Sequence, residues 1–213
     1  LSPARLGADI VVHSLTKFIA GASDLIGGAV CARADFIGSL MDLHTGPLMI
    51  LGPTMDPAVA ASIALRVPHL PLRTAAHSER ALALAERTAA LGIPVAYPGL
   101  PAHPDHTLLE KLRHPDYGHG GLLTIDAGSE AKALALMHTL QNDHQFGYVA
   151  VSLGYFDTLM SCPATSTSSE MPEDALEMAA IRPGLVRMAV GYTGTLEQRW
   201  AQLRTALEAV GLA

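Results

Sequence analysis

A chain of 213 residues is long enough for one large domain or two small ones, and at 49% apolar and 16% charged residues it can bury a core and is not disordered. A net charge of −6 with no basic run argues against nucleic acid as the main partner, and no apolar stretch reaches the length of a membrane span. Two cysteines, Cys31 and Cys162, cannot build a disulfide framework, so the expected setting is reducing and cytoplasmic.

In chain order, the apolar run Ile10 to Val12 reads as a buried strand that ends in Ser14, Thr16 and Lys17. Glycines follow at 21, 27 and 28, and Ala29 to Ala32 reads as a neighbouring strand. Residues 34–45 read as a short amphipathic helix, and Leu48 to Leu51 as a loop punctuated by Gly46-Pro47 and Gly52-Pro53. Asp56-Pro57 opens a second helix to about Arg66, interrupted by Pro68 and Pro71. The longest helical pattern covers 72–91 and is closed by Gly92. A domain change is expected near its start, dividing the chain into 1–68 and 69–213.

Beyond it, Val95 to Tyr97 and Gly121 to Asp126 read as strands. Ser129 caps a helix to about Leu140, with Ala133, Leu134, Met137 and Leu140 on one face. Phe146 to Leu153 reads as a strand, 161–175 as a long polar loop and Leu185 to Val190 as the last strand. Thr195 with Gln198 forms a capping box for the final helix, whose apolar face is Trp200, Leu203, Leu207 and Val210. This succession predicts a small α+β domain in the second half.

The candidate chemistry begins with Lys17. A lysine whose pKa is lowered by burial or a nearby cation can form a Schiff base, and the flanking Ser14 and Thr16 could bind a phosphate. On these residues alone, a lysine extending from a strand end to solvent is the plainer reading. Ser14-Leu-Thr-Lys17 also matches the Ser-x-x-Lys of penicillin-binding enzymes, but a Lys-Thr-Gly partner is missing. Arg187, a cation within an apolar strand, could grip a carboxylate or form a structural ion pair. His103 and His106 have a metal-like spacing on a proline-broken backbone and read as loop histidines, as do His114 and His119; no metal site is expected. His13 is expected to pack at its strand end, and His77 to lie on the surface or to be satisfied by a hydrogen bond. Cys162 is placed in the polar loop.

Taken together, these segments resemble a known family. Asp9-Ile-Val-Val-His-Ser-Leu-Thr-Lys17 and Ser23-Asp-Leu-Ile-Gly-Gly28 resemble the cofactor-lysine segment of the cystathionine γ-synthase/methionine γ-lyase family of pyridoxal-phosphate enzymes. Tyr97-Pro-Gly-Leu, with His103-Pro and His106, resembles the segment after that family's linking helix. Ser152-Leu-Gly154 and Leu185-Val-Arg187 resemble its Ser-Leu-Gly turn and carboxylate-binding strand. Within the family, 48–55, 152–162 and 191–198 look most like the plant-type methionine γ-lyase branch.

The resemblance implies an α/β fold: the end of the large cofactor domain of an aspartate-aminotransferase-like (fold-type I) enzyme over 1–68, then a linking helix and small α+β domain over 69–213. It implies that Lys17 carries pyridoxal 5'-phosphate as a Schiff base and moves protons, that Ser14 and Thr16 bind its phosphate, and that Ser152 and Arg187 bind the substrate α-carboxylate. The implied reaction is γ-elimination from a sulfur amino acid, methionine giving methanethiol, 2-oxobutanoate and ammonia. Other trans-sulfuration reactions are the alternative, namely those of cystathionine γ-lyase, cystathionine γ-synthase or O-acylhomoserine sulfhydrylase. The family begins well upstream of Leu1, in a region carrying further cofactor contacts, so the chain is expected to be a C-terminal half. An inert fragment or a split half that needs an N-terminal partner is therefore a competing expectation. The implied assembly is a homodimer or homotetramer with shared active sites.

Overall fold

The computed structural model describes residues 1–213. The chain divides into two compact units, Leu1–Leu70 and Pro71–Ala213.

In the first unit, β1 (Val11–Ser14) pairs antiparallel with β2 (Gly28–Cys31), Val11 opposite Cys31 and Ser14 opposite Gly28. Three helices follow: α1 (Ala34–Leu40), α2 (Pro47–Leu51) and α3 (Pro57–Arg66). Asp56 starts α3 by accepting hydrogen bonds from the N–H groups of Ala58 (2.7 Å) and Val59 (3.3 Å), which would otherwise lack partners. The segment read as a loop at Leu48 to Leu51 is the short helix α2. The expected burial of β1 is overturned. Val12 is 75% exposed and His13 is exposed rather than packed, its Nδ1 bonding only the neighbouring Ser14 carbonyl. The ribbon has only its two strands, and most of their side chains stay exposed, with Val11 and Ala29 half-buried.

A tight turn over Val67–His69 ends the first unit, and the second unit takes α4 (Leu70–Ala90) from Pro71 onward. Pro71 does not break this helix, because the first turn needs no N–H donor. After it come β3 (Val95–Ala96), α5 (His106–Leu112), β4 (Leu122–Asp126), α6 (Glu130–His138), β5 (Gly147–Val149), β6 (Thr158–Ser161), α7 (Glu173–Met178), β7 (Leu185–Ala189) and α8 (Leu196–Ala209). Ser129 and Thr195 cap α6 and α8 as expected, accepting from the N–H groups of Lys132 and Gln198.

The five strands form one sheet in the order β3-β4-β7-β6-β5, antiparallel except for the parallel pair β5 and β6. Alternation along the strands gives the sheet two unlike faces. Leu123, Ile125, Val186, Met188 and Met160 are buried in one core with Leu84 of α4, Leu136 of α6 and Leu203 and Leu207 of α8. The opposite face carries Thr124, Arg187 and Ser161, aligned across β4, β7 and β6 by register.

Strand β6 falls outside the sequence reading, and the strand expected over Phe146 to Leu153 is shorter than expected. Cys162, expected in a polar loop, is 2% exposed because it leaves the end of β6 within the core; its thiol points at the Pro183 carbonyl, 3.4 Å away. His77 is also buried, its Nδ1 bonded to the Val190 carbonyl at 2.5 Å.

Candidate active site

The lysine segment is a local structure of the first unit. Leaving β1, residues Leu15–Ile19 form a wide helical turn broken at Lys17, whose ψ of −124° is not helical. The N–H of Ala20 bonds the Leu15 carbonyl, and the N–H of Gly21 bonds the Lys17 carbonyl at 2.8 Å. Gly27 anchors the turn from the other side. Its carbonyl accepts from the N–H groups of Leu15 (2.9 Å) and Thr16 (3.3 Å), while its own N–H donates to Thr16 Oγ1 at 3.0 Å. A Cβ on Gly27 would lie 3.1 Å from the Met55 side chain and 3.4 Å from Ile63, which accounts for a glycine at this close approach.

Lys17 is half-buried. Ser14, at the end of β1, is exposed, and its hydroxyl makes no hydrogen bond, so it can donate to an anion. The Thr16 hydroxyl is engaged with Gly27, donating to its carbonyl at 3.3 Å as well as accepting from its N–H. To bind a phosphate it would redirect that one proton and keep the Gly27 N–H as donor. Arg66 closes the unit around this turn, with Nη1 and Nη2 on the two carboxylate oxygens of Asp24 at 2.6 and 2.7 Å.

In the second unit, Ser152 and Arg187 lie 35 positions apart in sequence and meet directly: Arg187 Nη2 donates to the Ser152 carbonyl at 3.2 Å. Arg187 has no carboxylate partner. Its Nε is buried without a hydrogen bond, and burial pulls its pKa below the ordinary guanidinium value. The structural ion pair left open by the sequence is therefore not formed. Ser161, opposite Arg187 in register, also has a buried hydroxyl without a partner. Sequence reading passed over Ser161, because its only signal is the register across β6 and β7. A half-buried guanidinium with a free donor edge is set up to receive a carboxylate.

Arg199 on α8 shows what a fully satisfied cation looks like in the same unit. It is 8% exposed and donates to Asp157 Oδ1 (3.0 Å), Thr193 Oγ1 (2.8 Å) and the carbonyls of Thr193, Gln145 and Phe146. By this contrast Arg199 is structural.

Residues 1–208 match a protein family described as Cys/Met metabolism PLP-dependent enzyme. Over 206 residues the chain is 56% identical to methionine gamma-lyase of Arabidopsis thaliana, an alignment covering 97% of this chain and 47% of that protein. It is 30% identical to a cystathionine beta-lyase of Lactococcus lactis, covering 97% of this chain and 52% of the relative. A crystal structure of cystathionine gamma synthase from Xanthomonas oryzae in complex with cystathionine superposes with a TM-score of 0.86 at 31% identity, covering 98% of this chain and 52% of that one. The chain thus spans about half the length of the relatives it matches.

Proposed function

This chain belongs to the Cys/Met metabolism PLP-dependent enzyme family, and from that premise we propose that it carries the cofactor lysine and the substrate-carboxylate grip of a carbon–sulfur lyase. Residues 1–68 are the end of the cofactor domain in this reading, and residues 69–213 are the linking helix and C-terminal domain. The observation that carries the proposal is Arg187: a half-buried guanidinium with a free Nε, held by Ser152 and matched by no carboxylate of the chain itself. Such a group is costly unless a ligand supplies the missing anion.

Pyridoxal 5'-phosphate, when bound, withdraws the electron pair that develops at the substrate Cα. Lys17 would hold it covalently through Nζ, and Ser14 would donate to its phosphate. Thr16 contributes there by redirecting its hydroxyl proton from the Gly27 carbonyl. With its amine free, Lys17 would act as the general base that takes the substrate Cα proton and returns a proton along the side chain. Arg187 would donate to the substrate α-carboxylate through Nε and Nη2, and the Ser152 carbonyl, which accepts from Nη2 at 3.2 Å, positions that guanidinium.

The reaction proposed is γ-elimination, in which methionine and water give methanethiol, 2-oxobutanoate and ammonia; the 56% identity to a methionine gamma-lyase favours it. Another trans-sulfuration reaction is the second reading, supported by the similarity to cystathionine beta-lyase and cystathionine gamma synthase. The active form is proposed to be a homodimer or homotetramer. Exposed apolar side chains of the first unit support further protein cover there, among them Val12, Ile26 at 87% and Leu51 at 79% exposure. The whole protein is to be assayed with methionine alone, cystathionine alone, and O-acetylhomoserine plus cysteine. Release of methanethiol and 2-oxobutanoate from methionine, lost in Lys17→Ala, is expected. Cystathionine synthesis without release from methionine would replace γ-elimination by the second reading.

A further inference from the structure

The loop between β3 and β4 brings together three side chains that the proposed chemistry does not use. His106 and Glu110 stand one turn apart on α5, on the same helix face. His119 reaches them from the segment just before β4. One ligand atom from each of the three lies within 4.8 Å of the others. We propose that His106, Glu110 and His119 form a binding site for a divalent transition metal of the zinc type.

Two features distinguish this cluster from a chance grouping. His106 Nδ1 donates to the Pro98 carbonyl at 2.9 Å, so in the neutral ring Nε2 is the nitrogen available to a metal, and it makes no hydrogen bond. Orientation of a ligating imidazole through its other nitrogen is the usual second-layer device of metal sites. The His106 and His119 rings are stacked, 5.7 Å apart and inclined by 23°, while the His119 ring is fixed against Tyr97 and the Gly99 backbone. The ligand set is therefore placed by the packed residues that anchor the loop.

His119 Nε2 now hydrogen-bonds Glu110 Oε1. Metal binding would replace that hydrogen bond: the neutral His119 ring would carry its proton on Nδ1 and ligate through Nε2, and the Glu110 carboxylate would become a ligand beside it. In a tetrahedral site with bonds of about 2.1 Å, ligand atoms stand roughly 3.4 Å apart, so the three need only small side-chain rotations, and a water completes the fourth position. Arg113 opposes the metal. Its Nε and Nη2 hold the two Glu110 oxygens, each at 2.9 Å, and bring a positive charge to the site. A carboxylate has about four acceptor positions, so Glu110 can keep Arg113 and still ligate, at lower affinity.

The test is equilibrium dialysis of the metal-free holoenzyme against zinc chloride, with metal counted per chain. One zinc per chain is expected. Its affinity should fall at least tenfold in Glu110→Gln and in His119→Ala, stay unchanged in His138→Ala on the exposed side of α6, and rise several-fold in Arg113→Gln. Saturating zinc should raise the melting temperature of the wild type by a few degrees but not that of Glu110→Gln. Fewer than about 0.1 zinc per chain, or binding that survives Glu110→Gln unchanged, overturns the proposal. Glu110 lies on the exposed side of α5, so its isosteric variant stays informative if His119→Ala fails to fold.

Discussion

Replacing Arg187 by Met separates a ligand-binding cation from a structural one. Methionine keeps most of the apolar stem and removes the guanidinium. The native side chain makes one hydrogen bond within the chain, to the Ser152 carbonyl at 3.2 Å, and leaves Nε buried and unpaired. A lost hydrogen bond of this kind costs about 0.5–1.5 kcal/mol, whereas a buried unsatisfied donor costs about 1–3 kcal/mol. The balance is a gain on the order of 1 kcal/mol, so Arg187→Met should melt about 2 °C higher than the wild type without ligand. Its kcat/KM should nevertheless fall about 100-fold or more, because the substrate carboxylate loses a charged, hydrogen-bonded partner. Thermal melts by circular dichroism and steady-state kinetics on the same preparations decide the matter. A variant that melts several degrees lower and keeps its kcat/KM would make Arg187 a structural residue and refute the reasoning.

Arg199→Met should do the opposite, since the guanidinium there holds Asp157 and three carbonyls. Breaking a buried pair leaves charge and acceptors uncompensated, and denaturant unfolding should report a loss of about 3–5 kcal/mol; a loss below 1 kcal/mol would contradict the assignment. His77 gives a pH dependence. Burial, assisted by the nearby Arg73 charge, pulls its pKa below the ordinary 6.5. The unfolded chain therefore takes up a proton near pH 6.5 that the folded chain binds only at lower pH, and the wild type loses stability as pH falls below 6.5. Denaturation midpoints between pH 7.5 and 5 should fall faster for wild type than for His77→Gln; parallel curves would contradict this.

The helices of the second unit could be read in advance because their ends are marked chemically. Ser129 and Thr195 cap α6 and α8 in the structure as in the sequence, and Leu203 and Leu207 lie on the buried face of α8. Strand β6 carries no such mark. All four of its residues, Thr158 to Ser161, are buried, so the polar–apolar alternation that identifies a half-buried strand is absent. Cys162 went wrong with it, since its burial follows from the strand it leaves. The error at β1 has a different cause. An apolar run records which residues can be covered, and cover depends on what packs against them, which the run itself does not contain.

For the candidate site, Lys17, Ser152 and Arg187 are singled out by their motifs. The structure adds the Ser152–Arg187 contact, the engagement of Thr16 with Gly27, and the orphan hydroxyl of Ser161. These depend on cross-strand register and backbone direction, which local sequence does not encode. His119 and Glu110 illustrate the same limit, being nine positions apart in a proline-rich segment whose path no periodicity predicts.

In the proposed function Lys17 carries the cofactor. Borohydride reduction of the holoenzyme followed by peptide mass mapping tests it most directly. One pyridoxyl-phosphate adduct per chain is expected, on the peptide containing Lys17, and none in Lys17→Ala. An adduct on Lys111 or Lys132, or one that persists in Lys17→Ala, would contradict it.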